Sequence, residues 1–172
     1  MTELPPGALD KSAFVVLLRA HDSAMRAVAY SIVMDANAMD DVLQESYLKA
    51  FRSLSHFRTG TNFRSWLCQI VRNTAIDEVR RKKSVPLDEP FDLPDAQPAI
   101  ADSIATQLSV RAALKRLPEP QRVAIRLIDG EQLPYADVAE MLGVPIGTVA
   151  SRVTAARASL RALLEVPEKE AR

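Results

Sequence analysis

Several scarcities narrow the reading before any motif is considered. A single cysteine, Cys68, stands in 172 residues, which leaves no internal disulfide framework and fits a reducing compartment. Placed between Trp66, Leu67 and Ile70, it reads as a small buried hydrophobe rather than a reactive thiol. Glycines number five and aromatics make up 5% of the chain. No run alternates apolar and polar residues convincingly, so a sheet has little to form from and an all-α fold is expected. No apolar stretch reaches the roughly 18 residues that would cross a membrane. The opening MTELPPGALDK has neither a basic segment nor an apolar core, so no secretion is expected and a cytoplasmic location is. His21 and His56 lie far apart without ligand-spaced partners, which argues against a metal site. No Gly-rich phosphate loop or nucleophile motif is present, so no cofactor and no enzyme chemistry are expected.

Net charge is zero, yet the charges are partitioned. Residues 49–83 carry nine Lys/Arg against Asp77 and Glu78. Residues 84–110 carry five acids and no Lys or Arg, and residues 111–172 carry ten basic and eight acidic side chains. The first 48 residues hold three basic and seven acidic ones. A basic block, an acidic tether and a near-neutral C-terminal part follow one another in order.

Periodicity predicts two helical segments within Asp10–Met34, with Phe14, Leu17 and Leu18 on the first and Met25, Val28, Ala29 and Ile32 on the second. After a turn over Asp35–Asp40, Met39–Leu54 is an amphipathic helix whose core stripe is Leu43, Tyr47, Ala50, Phe51 and Leu54. Its outer face presents Asp40, Asp41, Gln44 and Glu45. These acids either complement the helix N-terminus or form a docking face for a basic helical partner, and composition alone favours the first. Ser55–Asn62 is a polar loop, and Phe63–Lys83 a helix with Phe63, Trp66, Leu67, Ile70, Val71 and Val79 for the core. Helix capping alone accounts for the basic end, Arg80–Lys83. It does not account for Asn73 and Asp77, which are poor helix formers one turn apart in mid-helix. Such side chains can bond base edges while neighbouring cations hold phosphates. Pro86, Pro90, Pro94 and Pro98 recur every four residues, so this part of the chain is an extended tether and the domain boundary falls there. Helix resumes over Ala99–Leu117, with Ile104, Leu108, Ala112 and Leu114 apolar, and again over Pro120–Asp129. The last eight residues, from Glu165, are expected to fray.

Leu133–Leu164 is the most informative stretch. Tyr135–Leu142 is a short helix, Gly143 supplies the positive φ that ends it, and Pro145 opens a longer helix. Val149 and Val153 point back at the first helix, while Thr148, Ser151 and Arg152 turn outward. Small Ala139, then Gly143, then Val149 is the spacing of a helix-turn-helix, whose second helix enters a major groove. An ordinary αα-hairpin in a bundle is the less favoured alternative for this stretch taken alone.

Placed in sequence, these pieces resemble the bacterial sigma factors of the extracytoplasmic-function type, the promoter-specificity subunits of RNA polymerase. DDVLQESYLKAFR, FRSWL and RNTAIDEVRR are similar to that family's region 2; LPEPQR and GVPIGTV are similar to its region 4. The resemblance implies two small helical domains, 10–83 and 100–165, joined by a flexible acidic linker over 84–99. It implies that Asp40, Asp41, Gln44 and Glu45 dock on the polymerase β′ clamp helices, reversing the preference from composition. The loop 57–62, with Arg58 and Asn62, would hold a base drawn from the −10 element. Asn73 and Asp77 would contact bases there, and Arg72, Arg80 and Arg81 backbone phosphates. The tether would run through the polymerase channels as a phosphate mimic. The C-terminal domain would bind the β flap and place Thr148, Ala150, Ser151, Arg152, Thr154 and Arg157 at the −35 element. An anti-sigma factor is an implied further partner.

The chain departs from the family pattern at Ala150 and Ala155, where basic residues are frequent, and at Ile128, where an arginine sometimes stands. Fewer cations mean fewer phosphate contacts, so weak −35 binding with a shallow salt dependence is expected. A polymerase-independent helix-turn-helix regulator is the alternative function, although the basic block at 49–83 and the want of a pocket-forming β domain count against it. An interaction adaptor on the same scaffold is a third.

Overall fold

A computed structural model of the chain describes residues 10–58, 60–84 and 101–165. Within them the regular structure is helical throughout. The helices are α1 (Lys11–Val33), α2 (Ala36–Arg52), α3 (Phe63–Ser84), α4 (Ala101–Arg116), α5 (Glu119–Ile125), α6 (Tyr135–Leu142) and α7 (Ile146–Glu165). A 3₁₀ turn at Leu54–His56 follows α2, and a π-helical turn at Arg126–Gly130 continues α5. The proline-spaced tether lies outside the described residues, as does nearly all of the C-terminal stretch expected to fray.

The N-terminal half is a three-helix bundle of α1, α2 and α3. Two helical segments were expected in Asp10–Met34, but α1 runs through without a break. Its polar middle is accommodated because the Asp22 carboxylate accepts a 2.7 Å hydrogen bond from the Tyr47 hydroxyl of α2. The Asp10 carboxylate caps the start of α1 by accepting from the Ala13 N–H at 2.7 Å. Asp35 does the same for α2 through the Ala38 N–H, also 2.7 Å. The turn between the two helices is therefore only Met34 and Asp35, shorter than the expected Asp35–Asp40. Met25, Val28, Ala29, Val42, Leu43, Ala50, Leu67, Cys68, Val71 and Ala75 fill the bundle core. Phe51, expected in that core, is 42% exposed; it sits at the bundle edge with its ring 5.8 Å from that of Phe14. Leu54 falls in the 3₁₀ turn rather than in α2.

The C-terminal half packs α5 and α6 against α7, with α4 lying along α7. Among the described side chains of α4 Ala113 is buried, as is Leu117 just past the helix end, whereas Leu108 and Ala112 are exposed. Leu114 and Leu117 meet Ile125, Ala156 and Leu160 in a small apolar cluster. Between α6 and α7 the turn is a Schellman motif: Val144 N–H donates to Ala139 O at 3.0 Å and Gly143 N–H to Glu140 O at 3.2 Å. Gly143 has φ +65°, the left-handed conformation this motif needs. Pro145 O then accepts from Thr148 N–H at 2.9 Å and opens α7.

The halves meet, and most of their buried apolar side chains form one connected cluster that runs from Phe14 to Val153. α1 contacts α5 and the π turn, and α3 contacts α6. Around that seam the contacts are polar. Arg64 pairs with Asp137 at 3.0 Å and Arg72 with Glu119 at 3.3 Å, while the Ser65 hydroxyl donates to Glu140 O at 2.9 Å. The C-terminal end of α1 has no basic residue of its own in the last turn. Its carbonyls are met instead by two guanidiniums of the other half: Arg111 donates to Met34 O at 2.9 Å, and Arg122 to Ser31 O and, at 2.8 Å, to Leu117 O. Cations at a helix C-terminus are favourable electrostatically as well as through the bonds they donate.

At Gly143 a Cβ would meet nothing within 4 Å, so a substitution tests backbone strain alone. Gly143→Ala should cost about 1 kcal/mol of unfolding free energy. Gly143→Asn should cost visibly less, as urea titration followed by helical circular dichroism will show.

Candidate nucleic-acid and partner-docking surfaces

On α2 the buried residues Val42, Leu43 and Ser46 turn Asp40, Asp41, Gln44 and Glu45 outward. Asp35 already caps this helix, and the first turn proper contains no acid. Because the dipole effect fades within one turn, it does not explain a cluster that starts at the fifth helical residue. Asp40 is tied to Arg26 of α1 at 2.8 Å and Glu45 to Lys49 at 2.7 Å, which leaves Asp41 and Gln44 as the face's outermost groups. Leu48, 56% exposed, continues the same face one turn beyond Gln44. Sequence reasoning passed over it, although a leucine outside the core stripe was the available signal.

α3 begins where the Asn62 side chain accepts from the Ser65 N–H at 3.1 Å, so Asn62 is an N-cap as well as a member of the predicted loop site. The loop before it turns at Gly60, φ +94°, and Thr61 N–H donates to Arg58 O at 3.0 Å, leaving the Arg58 side chain exposed. Phe57 anchors the loop by edge contacts with Trp66 at 5.0 Å and Phe63 at 5.8 Å. Trp66 is thus half-buried in an aromatic cluster, as its position on the apolar face implied.

Leu67, Val71 and Ala75 bury one side of α3 completely. At 100° per residue, Gln69, Asn73, Asp77 and Arg80 fall on the opposite side, and all four are exposed. Arg72 and Arg81 flank this stripe on its two edges. Asp77 and Arg80 are 4.0 Å apart, and Arg81 is paired with Glu78 at 2.7 Å. Arg72, unlike the others, is engaged by Glu119 of the other half. Gln69 is the member of the stripe that the sequence reading missed; the 3.6-residue spacing to Asn73 would have found it.

On α7, Val149, Val153 and Ala156 are fully buried, so Ala150, Ser151, Thr154 and Arg157 stand exposed. Thr148 is half-buried, and its carbonyl accepts from the Ser151 hydroxyl at 3.0 Å. Arg157 is held by Asp129 through two bonds, at 3.0 and 2.5 Å. Arg152 does not point freely outward. It lines a small cavity together with Arg72, Glu119, Val123 and Leu142. Ile128 is 8% exposed within the shared core, which is why the place has an aliphatic side chain here. Among the described residues no three His, Cys, Asp or Glu side chains gather to hold a metal, and no helix is long and apolar enough to cross a membrane.

Family models match both halves: sigma-70 region 2 over residues 17–85 and sigma-70 region 4 over residues 107–160. The chain is 37% identical over 158 residues to the ECF RNA polymerase sigma factor SigM of Mycobacterium tuberculosis, covering 90% of this chain and 79% of SigM. It is 33% identical over 156 residues to the sigma factor EcfG of Rhodopseudomonas palustris, with 86% and 82% covered. Among solved structures it is similar to the sigma factor RpoE of Bartonella quintana in complex with the anti-sigma factor NepR. There the TM-score is 0.65 at 29% identity, over 90% of this chain and 98% of RpoE. CnrH in complex with the cytosolic domain of CnrY gives 0.66 at 27% identity, over 91% and 90%.

Two groups in the N-terminal bundle set its behaviour in alkali. Burial pushes the Cys68 thiol up to about 12. Burial, then the bond to Asp22, raises the Tyr47 hydroxyl. Both favour the neutral form in the folded chain, so their contribution is complete below about pH 9 and is lost as pH climbs through the folded values. Unfolding free energy measured in urea should therefore fall from pH 8 to pH 11, and Cys68→Ala should flatten part of that fall.

Proposed function

Since the chain belongs to the extracytoplasmic-function sigma factors of the sigma-70 family, which direct RNA polymerase in transcription initiation, we propose a division of labour among its surfaces. Residues 10–83 form the domain that holds core polymerase and the −10 element, and residues 100–165 the domain that reads the −35 element, with 84–99 as the linker between them. Asp40, Asp41, Gln44 and Glu45 on α2 dock on the β′ clamp helices. The observation that carries this reading is the placement of that acidic face beyond the first turn of a helix that Asp35 already caps.

On α3, Asn73 and Asp77 contact −10 bases while Arg72, Arg80 and Arg81 hold phosphates. Arg58 and Asn62 border the pocket for an extruded base. Unstacking one base costs a few kcal/mol, which a pocket with flanking phosphate contacts can offset. Thr148, Ala150, Ser151, Arg152, Thr154 and Arg157 face the −35 major groove, and the C-terminal domain also binds the β flap. The likenesses to RpoE with NepR and to CnrH with CnrY support an anti-sigma factor as a further partner. Sigma factors act by binding and not by catalysis, and the protein is assigned no enzymatic step, no cofactor and a cytoplasmic place of action beside polymerase. A polymerase-independent regulator would leave the region 2 match over residues 17–85 without a role.

Run-off transcription with reconstituted holoenzyme tests the assignment. Replacing Asp41 and Gln44 together by alanine should weaken the complex with core polymerase roughly tenfold, which is about 1.4 kcal/mol for the pair's lost contacts. Unchanged affinity removes α2 as the docking helix. At the other end, Ala150→Arg adds a cation to an exposed position of α7. Holoenzyme carrying it should bind promoter duplex more tightly, with the slope of log K against log salt steeper by about one unit.

A further inference from the structure

The leading turn of α7 carries a side chain that the core does not account for. Ile146 is 54% exposed and belongs to neither apolar cluster, whereas Val149 and Val153 on the same helix are fully buried. A branched aliphatic side chain left in water contributes nothing to the fold through burial. Pro145 and Gly147 beside it are exposed as well, and a Cβ at Gly147 would meet nothing within 4 Å, so no other part of the chain overlies this turn. Ala150, one turn further along, is also exposed. No residue from Ile146 to Ser151 is charged. The next two cations are engaged elsewhere, since Arg152 lines the cavity with Glu119 and Arg157 is bonded to Asp129. The first turn of the helix is therefore uncharged and apolar.

We infer that Ile146 is a specificity-determining residue, which reads a thymine of the −35 element through the C5-methyl group. The inference rests on the placing of α7 at that element; what it adds is the base and the chemistry by which that base is chosen. Thymine alone presents an apolar group on its major-groove edge, where the other bases offer N7, O6 or amino groups. Ile146 against the thymine methyl removes apolar surface on both sides from water. Against guanine, adenine or cytosine it strips water from a donor or acceptor and returns no hydrogen bond. Attraction and penalty select the same base. Gly147 assists, because the residue beside Ile146 has no side chain to hold the helix off the groove.

Holoenzyme reconstituted with core polymerase, and offered promoter duplexes randomised across the −35 element, yields the sequence that the unaltered chain prefers. Each thymine of that element is then replaced in turn by deoxyuridine, which keeps the base pair and removes only the methyl. At one fixed position the replacement should weaken binding about fourfold, the size expected for one methyl-sized group withdrawn from water. In holoenzyme carrying Ile146→Ala the same replacement should change affinity by less than about 1.5-fold, because the two losses remove one shared contact and do not add. Ile146→Val keeps a branched aliphatic tip and should keep the sensitivity to uridine. The slope of log K against log salt should not move in either variant, since no phosphate contact is removed. Uridine tolerated at every thymine by the unaltered holoenzyme overturns the inference. So does a uridine penalty that survives Ile146→Ala, or a loss in that variant that is equal for thymine and uridine duplexes, as a contact with polymerase would give. A −35 element that can be scrambled without loss strikes the placing of α7 and the inference with it. A −35 preference that contains no thymine strikes the inference alone.

Discussion

The burial of one side of α3 governs the rest of the molecule. Leu67, Cys68, Val71 and Ala75 are excluded from water against α1 and α2, and a helix that commits those positions has no freedom about where Asn73, Asp77 and Arg80 project. Their display follows from packing density in the bundle, where moving a core residue by even a methylene is felt. α1 is fixed by the same contact, and so is α2 behind it. The acidic face of α2 and the polar stripe of α3 are therefore on one rigid body, and their relative placement does not depend on any loop.

The seam obeys different rules. Partly exposed ion pairs contribute about 0–1 kcal/mol each, and those across the seam are of that kind. Apolar contact accompanies them, since one cluster spans both halves. Arg122 shows how the two combine. Half withdrawn from water, its guanidinium serves carbonyl oxygens on both sides of the seam, Ser31 O and Leu117 O. A charge in such a place is tolerated because each bond it donates is charge-assisted.

Much of this was legible in the chain, because each helix has a strong local signature. α3 emerges from its apolar spacing within one residue at either end, and the turn at Gly143 from a glycine placed just after the last apolar residue. Asn73 and Asp77 stood out for the opposite reason, as residues that a helix has no cause to choose, and both are exposed. What could not be read depended on distant partners. The continuity of α1 rests on Tyr47 reaching Asp22, 25 residues away in sequence. The buried line of α4 is set by α7, and two equally apolar lines, through Ala112 or Ala113, compete in the sequence. Arg152 was expected to face outward because nothing in a local pattern announces that Arg72 and Glu119 lie opposite.

The end of α1 carries a consequence for how the halves depend on each other. Helices usually finish on a glycine, or on basic side chains of their own last turn; this one finishes on Met34 in a left-handed conformation, with the neutralising cations supplied by Arg111 and Arg122. Without the C-terminal half, Ser31 O and Met34 O would have only water for these bonds. The final turn of α1 is therefore completed by a different part of the chain, and its order depends on that companion being in place.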